Sequence, residues 1–242
     1  MGQTLVKLIS KFLDALYPEN YVCLSCGKEI AENKISLCNK CMTSLPYLRN
    51  HLCAKCDAVV NEDTYICDLC KSTSNVFVKN YSAFDYSGAI RKLLLDLKYY
   101  GAKYNADTLS NLLYEKYLSV DKHFDVIIPV PLHKTRLEER QYNQSELLLT
   151  TFVENGLNVK TDVLIRVLDT PHQAGLNRMD RLSNLKDCFK VVDKSSVKGK
   201  DVLVVDDVFT TGATVNECAI TLLNAKAKSV TVLTLCRNNY KE

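Results

Sequence analysis

The 242-residue chain contains no tryptophan, only three methionines and only five prolines. Hydrophobic residues make up 47% and charged residues 24% of the sequence, a balance typical of a packed globular chain rather than a disordered one. A large charge excess is also missing, because 31 basic residues against 28 acidic residues leave a formal charge of +3. This small charge argues against a protein that holds nucleic acid mainly by neutralising phosphates.

Long hydrophobic runs are absent as well. Aliphatic runs such as Val202–Val205 are far shorter than the roughly 18 residues that a membrane-spanning helix needs. Lys7, Lys11 and Asp14 interrupt the apolar N-terminus, and no small-residue cleavage site follows it, so a secretory signal is not indicated. We therefore expect a cytoplasmic protein that does not span a membrane. Residues 1–20 predict an amphipathic helix that docks on the rest of the chain or, alternatively, lies on the inner face of the membrane.

Cysteine, in contrast, is abundant. Eight of the eleven cysteines form four C-x-x-C pairs at nearly even spacing. In a reducing compartment such pairs indicate metal rather than disulfides, because two pairs complete a tetrahedral zinc shell. Redox pairs or merely buried thiols are the alternative. The predicted metal ligands are Cys23, Cys26, Cys38, Cys41, Cys53, Cys56, Cys67 and Cys70.

The spacing of the pairs indicates a tandem repeat. A shift of 30 residues places Cys23 on Cys53, and a shift of 29 places Cys38 on Cys67. The repeat favours two sequential Cys₄ sites, although a cross-braced pairing has similar spacings. Both sites would be closed, hence structural. We therefore predict a double zinc-ribbon module over residues 21–75, which depends on metal for much of its folding free energy.

Beyond residue 75 the pattern changes to that of an α/β domain, covering 76–242. Strands that are apolar on both faces and are joined through helices predict a mostly parallel sheet flanked by helices, with ligands bound at the carboxyl ends of its strands. The predicted strands are Tyr81–Tyr86, Val126–Val130, Val163–Val167, Val202–Val205 and Val230–Leu235. The predicted helices are Ala89–Lys98, Ala106–Leu118, Gln144–Glu154 and Val215–Lys226.

One predicted strand leads into a segment with recognisable chemistry. After Val202–Val205 come Asp206 and Asp207, then a Thr/Gly loop, Thr210–Thr214, that opens a helix. Two carboxylates can accept hydrogen bonds from vicinal sugar hydroxyls, and such a loop offers N–H groups and hydroxyls to a phosphate. A sugar 5-phosphate would satisfy both. The chain has neither of the common glycine-rich phosphate motifs, G-x-G-x-x-G and G-x-x-x-x-G-K.

The run Val202–Thr214 resembles the phosphoribosyl-pyrophosphate signature of type I phosphoribosyltransferases. Over nearly its whole length the chain resembles the ComF family of competence proteins, which combine a zinc module with a phosphoribosyltransferase-like domain. Gln141 departs from the family, which usually has glycine there. The further matching positions are Leu97–Gly101, Asp125, Pro129–Leu132, Arg136, Arg140, Tyr142–Gln144, Arg166, Thr170, Gln173, Arg181, Asn184 and Phe189.

The resemblance implies a role for each part of the site. Asp206 and Asp207 would be the catalytic acids that hold the ribose hydroxyls, and Mg²⁺ would accompany the diphosphate. A nitrogen acceptor would then displace diphosphate from the anomeric carbon. The implied substrate-binding residues are Val208, Phe209, Thr210, Thr211, Gly212, Ala213, Thr214, Pro129, Val130, Pro131, Arg136 and Arg140.

Several alternatives remain at this point. Instead of an enzyme, the protein could be a ligand sensor or adaptor that docks a competence helicase, or binds single-stranded DNA, through its zinc module. Lys98 is either a helix-dipole partner or a cleft residue. Asn143 either caps a helix or contacts an acceptor.

Overall fold

The structure is a computed structural model that describes residues 21–31, 33, 35–49, 51–169 and 187–239. The predicted N-terminal helix over residues 1–20 lies outside the described residues. So do four positions that carry the family resemblance, Thr170, Gln173, Arg181 and Asn184.

A four-stranded parallel sheet in the order β1-β6-β5-β2 forms the centre of the described structure. This confirms the predicted fold class. The strands are β1 (Asn80–Asp85), β2 (Val126–Pro129), β3 (Leu164–Arg166), β4 (Phe189–Val191), β5 (Asp201–Phe209) and β6 (Ser229–Arg237). The helices are α1 (Asn39–Thr43), α2 (Asp68–Ser72), α3 (Gly88–Tyr99), α4 (Asn105–Leu118), α5 (Lys134–Arg140), α6 (Gln144–Leu147), α7 (Thr150–Glu154) and α8 (Ala213–Asn224).

Both faces of the sheet are buried, as the apolar strands predict. Successive side chains of a strand point to opposite faces. Val202 and Val204 of β5 pack in one hydrophobic cluster with α8, whereas Leu203 and Val205 pack in a second cluster with α3 and α4. Among the described residues, no helix has both the length and the apolar character needed to cross a bilayer.

Two of the predicted strands differ from the structure. The apolar pattern places Val163–Val167 beside the other strands, but its core, β3, pairs antiparallel with β4 in a separate two-stranded sheet. The predicted strand Val202–Val205 extends from Asp201 to Phe209, because β6 continues to pair with it as far as Phe209 opposite Arg237. Asp206 and Asp207 therefore lie within the strand rather than just after it.

The predicted helix over Gln144–Glu154 is interrupted. The hydroxyl of Ser110, on α4, donates to the carbonyl oxygen of Leu148 and accepts from the amide of Thr151, each at 3.0 Å. A side chain inserted into the helical hydrogen-bond ladder breaks the helix. The segment therefore forms two short helices, α6 and α7, packed against α4.

The two cysteine-rich repeats pack on opposite faces of the sheet. Cys23 and Cys41 belong to the cluster that contains α3 and α4, whereas Cys53 and Cys56 belong to the cluster that contains α8. The repeats share local geometry: α1 and α2 each begin directly after a cysteine. Residues 27 and 57, 30 positions apart, both have positive φ. Both ribbons thus share a hydrophobic core with the sheet.

The second repeat is also joined to β1 by polar contacts. Asp57, with a φ of 55° and a buried side chain, accepts from the amide of Ser82 at 3.0 Å and lies 3.5 Å from the ammonium of Lys79. The amide side chain of Asn80 donates to the Cys56 carbonyl oxygen at 3.3 Å. Because a buried carboxylate is costly without partners, these contacts fix the ribbon against the strand.

Candidate functional site

A cleft of about 280 Å³ lies at the carboxyl ends of β2 and β5, the position expected for ligands of a parallel sheet. It brings together most of the substrate-binding residues predicted from the sequence. Its lining residues are Tyr86, Lys98, Tyr99, Val130, Pro131, Leu132, Arg136, Arg140, Gln144, Arg166, Asp206, Asp207, Val208, Phe209, Thr210, Gly212, Ala213, Thr214, Val215 and Asn238.

The two acids lie on the part of β5 that extends past β2. β2 ends at Pro129, opposite Val205, so Asp206 and Asp207 have no neighbour from that strand. Oδ1 of Asp206 accepts from the Ser145 hydroxyl at 3.0 Å and from the Asp207 amide at 2.9 Å. Burial, followed by the charge of Asp207, raises the pKa of Asp206 to about 7. Its charge can therefore change near neutral pH.

Lys98, near the end of α3, is a cleft residue. Its ammonium lies 2.7 Å from Oδ2 of Asp207, and its side chain is only 16% exposed. Burial opposes the charge of Lys98, but the Asp207 carboxylate outweighs burial and raises its pKa. Of the two interpretations of this lysine, the structure supports the cleft residue. The lysine therefore brings a positive charge to the pair of acids.

The Thr/Gly loop joins β5 to α8. Gly212 precedes the helix with a φ of 82°, a left-handed conformation that favours glycine. A Cβ added there would lie 2.5 Å from Cζ of Phe209, whose ring is buried under the loop. Thr210, Ala213 and Thr214 line the cleft beside it. The loop thus presents the start of a 12-residue helix to the cleft, where backbone N–H groups favour an anion.

Two predicted substrate-binding residues do not line the cleft. Pro129 is the buried end of β2. Thr211 is 5% exposed, and its hydroxyl lies 3.4 Å from the Ala213 amide, which donates to it. Both residues lie next to lining residues in the chain, since Val130 follows Pro129 and Thr211 stands between Thr210 and Gly212.

Three arginines also line the cleft. Arg136 and Arg140, two of the predicted substrate-binding residues, come from α5, and Arg166 ends β3. The guanidinium of Arg140 packs 5.5 Å from the ring centre of Tyr99 and donates to the side-chain carbonyl of Gln144. Burial, followed by the nearby charge of Arg136, lowers the pKa of Arg166. An anionic ligand in the cleft would offset this mutual repulsion and could accept hydrogen bonds from either guanidinium.

Asn143, the residue before α6, contacts the loop that follows β2. The side-chain amide of Asn143 donates to the Val130 carbonyl oxygen at 3.0 Å, while its oxygen accepts from the Ser145 amide at 3.0 Å. Asn143 therefore caps α6, which was one of its two predicted roles. Gln141 has a φ of 66°, the conformation for which the family's glycine is suited.

Sequence reasoning left some cleft residues unassigned. Tyr86 and Asn238 line the cleft, and Ser145 donates to Asp206. Arg166 had a signal, because it is one of the positions that carry the family resemblance. Tyr86, Asn238 and Ser145 had none in a single sequence, since only tertiary packing brings the first two to the cleft and the third to Asp206.

Each cysteine-rich repeat forms its own metal-ligand cluster. The sulfurs of Cys23, Cys26, Cys38 and Cys41 lie within 4.8 Å of one another, and so do those of Cys53, Cys56, Cys67 and Cys70. The pairing is thus sequential rather than cross-braced.

The spacing of the sulfurs fits zinc. A tetrahedral ion with Zn–S bonds of about 2.3 Å places neighbouring sulfurs about 3.8 Å apart. The Cys26 and Cys38 sulfurs are 3.8 Å apart, and those of Cys56 and Cys67 are 3.6 Å apart. Contact with Cys67 raises the pKa of Cys56 to about 12. A cation bound among the four sulfurs would favour their charged, thiolate form, which is the form that binds zinc.

Comparisons with known proteins agree with this architecture. Residues 12–76 match the double zinc ribbon domain, and residues 148–242 match the phosphoribosyl transferase domain. The DNA utilization protein YhgH of Salmonella typhi is 30% identical over 222 residues, which cover 89% of this chain and 96% of that protein. Competence protein F of Haemophilus influenzae is 30% identical, over 90% of this chain and 97% of that protein.

The chain belongs to the ComF family. Competence protein ComFC of Bacillus subtilis is a further member, 27% identical over 90% of this chain and 95% of that protein. The resemblance predicted from Val202–Thr214 and the C-x-x-C pairs is therefore confirmed. A solved allosteric regulatory enzyme of purine biosynthesis is 18% identical with a TM-score of 0.38, over 58% of this chain and 29% of that one. The chain spans less than a third of that enzyme's length.

Proposed function

We propose that this ComF protein binds phosphoribosyl pyrophosphate with Mg²⁺ and transfers the phosphoribosyl group to a nitrogen acceptor. The observation that carries the proposal is the arrangement of three groups around one cleft: the acids of β5, the loop that opens α8, and the arginines of α5 and β3. These groups match the hydroxyls, the 5-phosphate and the diphosphate of one ligand. Isolated phosphate or sugar ligands would leave part of the arrangement unused.

The sugar end of the ligand would occupy the loop side. Asp206 and Asp207 accept hydrogen bonds from the ribose hydroxyls, and the N–H groups near Gly212 hold the 5-phosphate. Lys98 orients the Asp207 carboxylate through their 2.7 Å contact. Because the strand, the helix and the lysine are all packed into the core, the ribose would be bound in a fixed orientation.

The diphosphate end would face Arg136, Arg140 and Arg166. In the reaction, a lone pair on the acceptor nitrogen forms a bond to the anomeric carbon while the bond from that carbon to the diphosphate oxygen breaks. The electron pair of the broken bond leaves with the diphosphate, and the acceptor nitrogen then loses its proton to solvent water. Positive charge develops on the ribose near the acids, and negative charge on the leaving group near the guanidiniums. No side chain acts as a nucleophile.

The donor set of the cleft also suits Mg²⁺. The carboxylates of Asp206 and Asp207 are oxygen ligands, which Mg²⁺ prefers, and substrate phosphates usually supply others. When bound, the ion would neutralise charge on the departing diphosphate.

We further propose that the activity serves the handling of incoming DNA. This step is supported by the names of the relatives, which are described as competence and DNA utilization proteins. The acceptor is a compound with a nucleophilic nitrogen that can approach the anomeric carbon from the side opposite the departing diphosphate.

Calorimetric titration of phosphoribosyl pyrophosphate with Mg²⁺ into the zinc-loaded protein tests the proposal. We expect binding by the wild type and its loss in an Asp206→Asn/Asp207→Asn variant, since each lost charge-assisted contact costs about 1–3 kcal/mol. Asp201→Asn is the matched control, because Asp201 lies at the opposite end of the same strand and contacts Lys228 and Ser229.

Diphosphate release during a screen of bases and amines then tests catalysis. Release that requires both acids supports a transferase. Binding without release by any acceptor favours the sensor or adaptor interpretation and directs the search to a helicase or single-stranded DNA. A folded, zinc-loaded wild type that binds no phosphoribosyl pyrophosphate would refute the proposed ligand.

A further inference from the structure

Arg237, the last residue of β6, lies between the second zinc ribbon and the loop of the cleft. Its side chain is 3% exposed. Nη1 donates to the carbonyl oxygens of Phe209 and Thr210 at 3.1 and 2.8 Å, and to that of Asn238 at 2.6 Å. Nη2 lies 3.8 Å from the Cys56 sulfur. A single guanidinium thus contacts the start of the loop with one nitrogen and a metal ligand with the other.

The buried charge of Arg237 needs a counter-charge. Within the described ranges no carboxylate lies within ion-pair distance of it, and its Nε is buried without a hydrogen-bond partner. A Zn²⁺ ion with four thiolates carries a net charge of −2, and Cys56 is one of those four ligands. A metal bound by these cysteines would therefore supply the anionic centre that this guanidinium faces.

The same side chain sets the position of the loop backbone. Its guanidinium carbon lies 4.9 Å from the centre of the Phe209 ring, and that ring lies directly under Gly212. The Phe209 carbonyl oxygen also accepts from the Asn238 amide at 2.9 Å. Moving Arg237 would thus release two carbonyl groups and a packed ring at the base of the loop.

We propose that Arg237 is a positioning residue that couples the metal of the second ribbon to the geometry of the Phe209–Thr214 loop. With metal bound, the thiolates hold Nη2, and Nη1 holds the loop. Without metal the four sulfurs lose the ion that fixes them, Nη2 loses its fixed partner at Cys56, and the loop loosens. The consequence for phosphoribosyl pyrophosphate rests on the proposed function, whereas the coupling itself does not.

Zinc release to a chelating dye tests the metal side of the link. Removing a partner of a metal ligand usually costs about 10- to 100-fold in metal affinity. In the full chain, we expect Arg237→Met to speed release of one zinc ion by about that factor. The other ion, held by Cys23 and its partners, is the internal control. Lys71→Met is the matched control, because Lys71 is on the same ribbon but pairs with Asp68 at the surface. Unchanged release, or equal acceleration of both ions, would overturn the proposal.

Hydrogen exchange of the loop amides tests the other side. Removing zinc from the wild type should speed hydrogen exchange in a peptide spanning residues 209–214. In Arg237→Met the exchange rate of this peptide should already be high and should not change when zinc is removed. Arg237→Lys, which keeps the charge but not the planar fork, takes the place of the methionine variant if that variant does not fold. Exchange in the wild type that ignores zinc would overturn the coupling. Neither measurement uses phosphoribosyl pyrophosphate, so failure of that ligand to bind would refute only the proposed function.

Discussion

The ammonium of Lys98 and the carboxylate of Asp207 form an ion pair of 2.7 Å between the end of α3 and the end of β5. Both side chains are largely withdrawn from water, with exposures of 16% and 7%. A pair of this kind adds little net stability over an apolar pair, but removing one partner leaves the other buried and charged. The pair therefore makes the acid site dependent on α3.

Lys98→Met should lower the free energy of unfolding by about 3 kcal/mol, because it leaves the buried Asp207 carboxylate without its partner cation. Urea unfolding at pH 7.5 measures the loss. The double variant Lys98→Met/Asp207→Asn should regain most of it, since neither charge remains. Equal stability of the single variant and the wild type would mean that the two groups do not depend on each other.

The raised pKa of Asp206 has consequences for pH. In the unfolded chain the carboxyl has its ordinary pKa near 4, whereas in the folded protein burial, followed by the charge of Asp207, raises it to about 7. Between these values the folded protein holds a proton that the unfolded chain has lost. This group's contribution to stability therefore falls as pH rises from about 4 to 7 and is level above 7.

Asp206→Asn should thus stabilise the protein at pH 8, by about 1–2 kcal/mol, and have little effect near pH 4. Asp201→Asn is a control with the opposite sign. Hydrogen bonds from Lys228 and Ser229 lower the pKa of Asp201 to about 2, so its loss should destabilise the protein at pH 8. Thermal unfolding of both variants at the two pH values measures these effects. Asparagine variants with the same pH dependence as the wild type would contradict the assignment.

Sequential pairing of the cysteines leads to a test by metal content. Elemental analysis of the wild type should find two zinc ions per chain. Cys26→Ser/Cys38→Ser damages only the first cluster and should retain one ion, whereas Cys26→Ser/Cys53→Ser damages both and should retain none. Cross-braced pairing would give the reverse result for the two variants.

The sequence predicted the parallel sheet, the cysteine clusters and most of the cleft, because these depend on local pattern. Apolar runs reveal strands buried on both faces, and spacing reveals metal ligands. Contacts between segments that are distant in the chain have no comparable signal in the sequence. The hydroxyl of Ser110 interrupts the helix over Gln144–Glu154, whose apolar periodicity is continuous. β3 pairs with β4, which has only three residues and is too short to be recognised as a strand in the sequence.

The residues of the candidate site also differ in whether a local sequence pattern or a contact between distant segments reveals them. Asp206 and Asp207 stand out because two acids follow four aliphatic residues in the chain. Lys98 had two interpretations, since only the packing of α3 against β5 brings its ammonium to Asp207. Arg237 looks like the polar end of a strand, and its burial against Cys56 depends on a contact across 181 positions.

Gly212→Ala should weaken both the fold and the binding of phosphoribosyl pyrophosphate. The left-handed conformation costs a residue with a Cβ about 1–2 kcal/mol, and here the added carbon also meets the Phe209 ring at 2.5 Å.

Gly156→Ala isolates the first effect, because Gly156 has a φ of 75° with nothing within 4 Å of the added carbon. We expect the Gly156 variant to lose about 1 kcal/mol in urea unfolding and to keep its affinity in calorimetry. The Gly212 variant should lose more stability and bind at least about tenfold more weakly, which corresponds to 1.4 kcal/mol. Equal losses in the two variants would show that the ring does not support the loop.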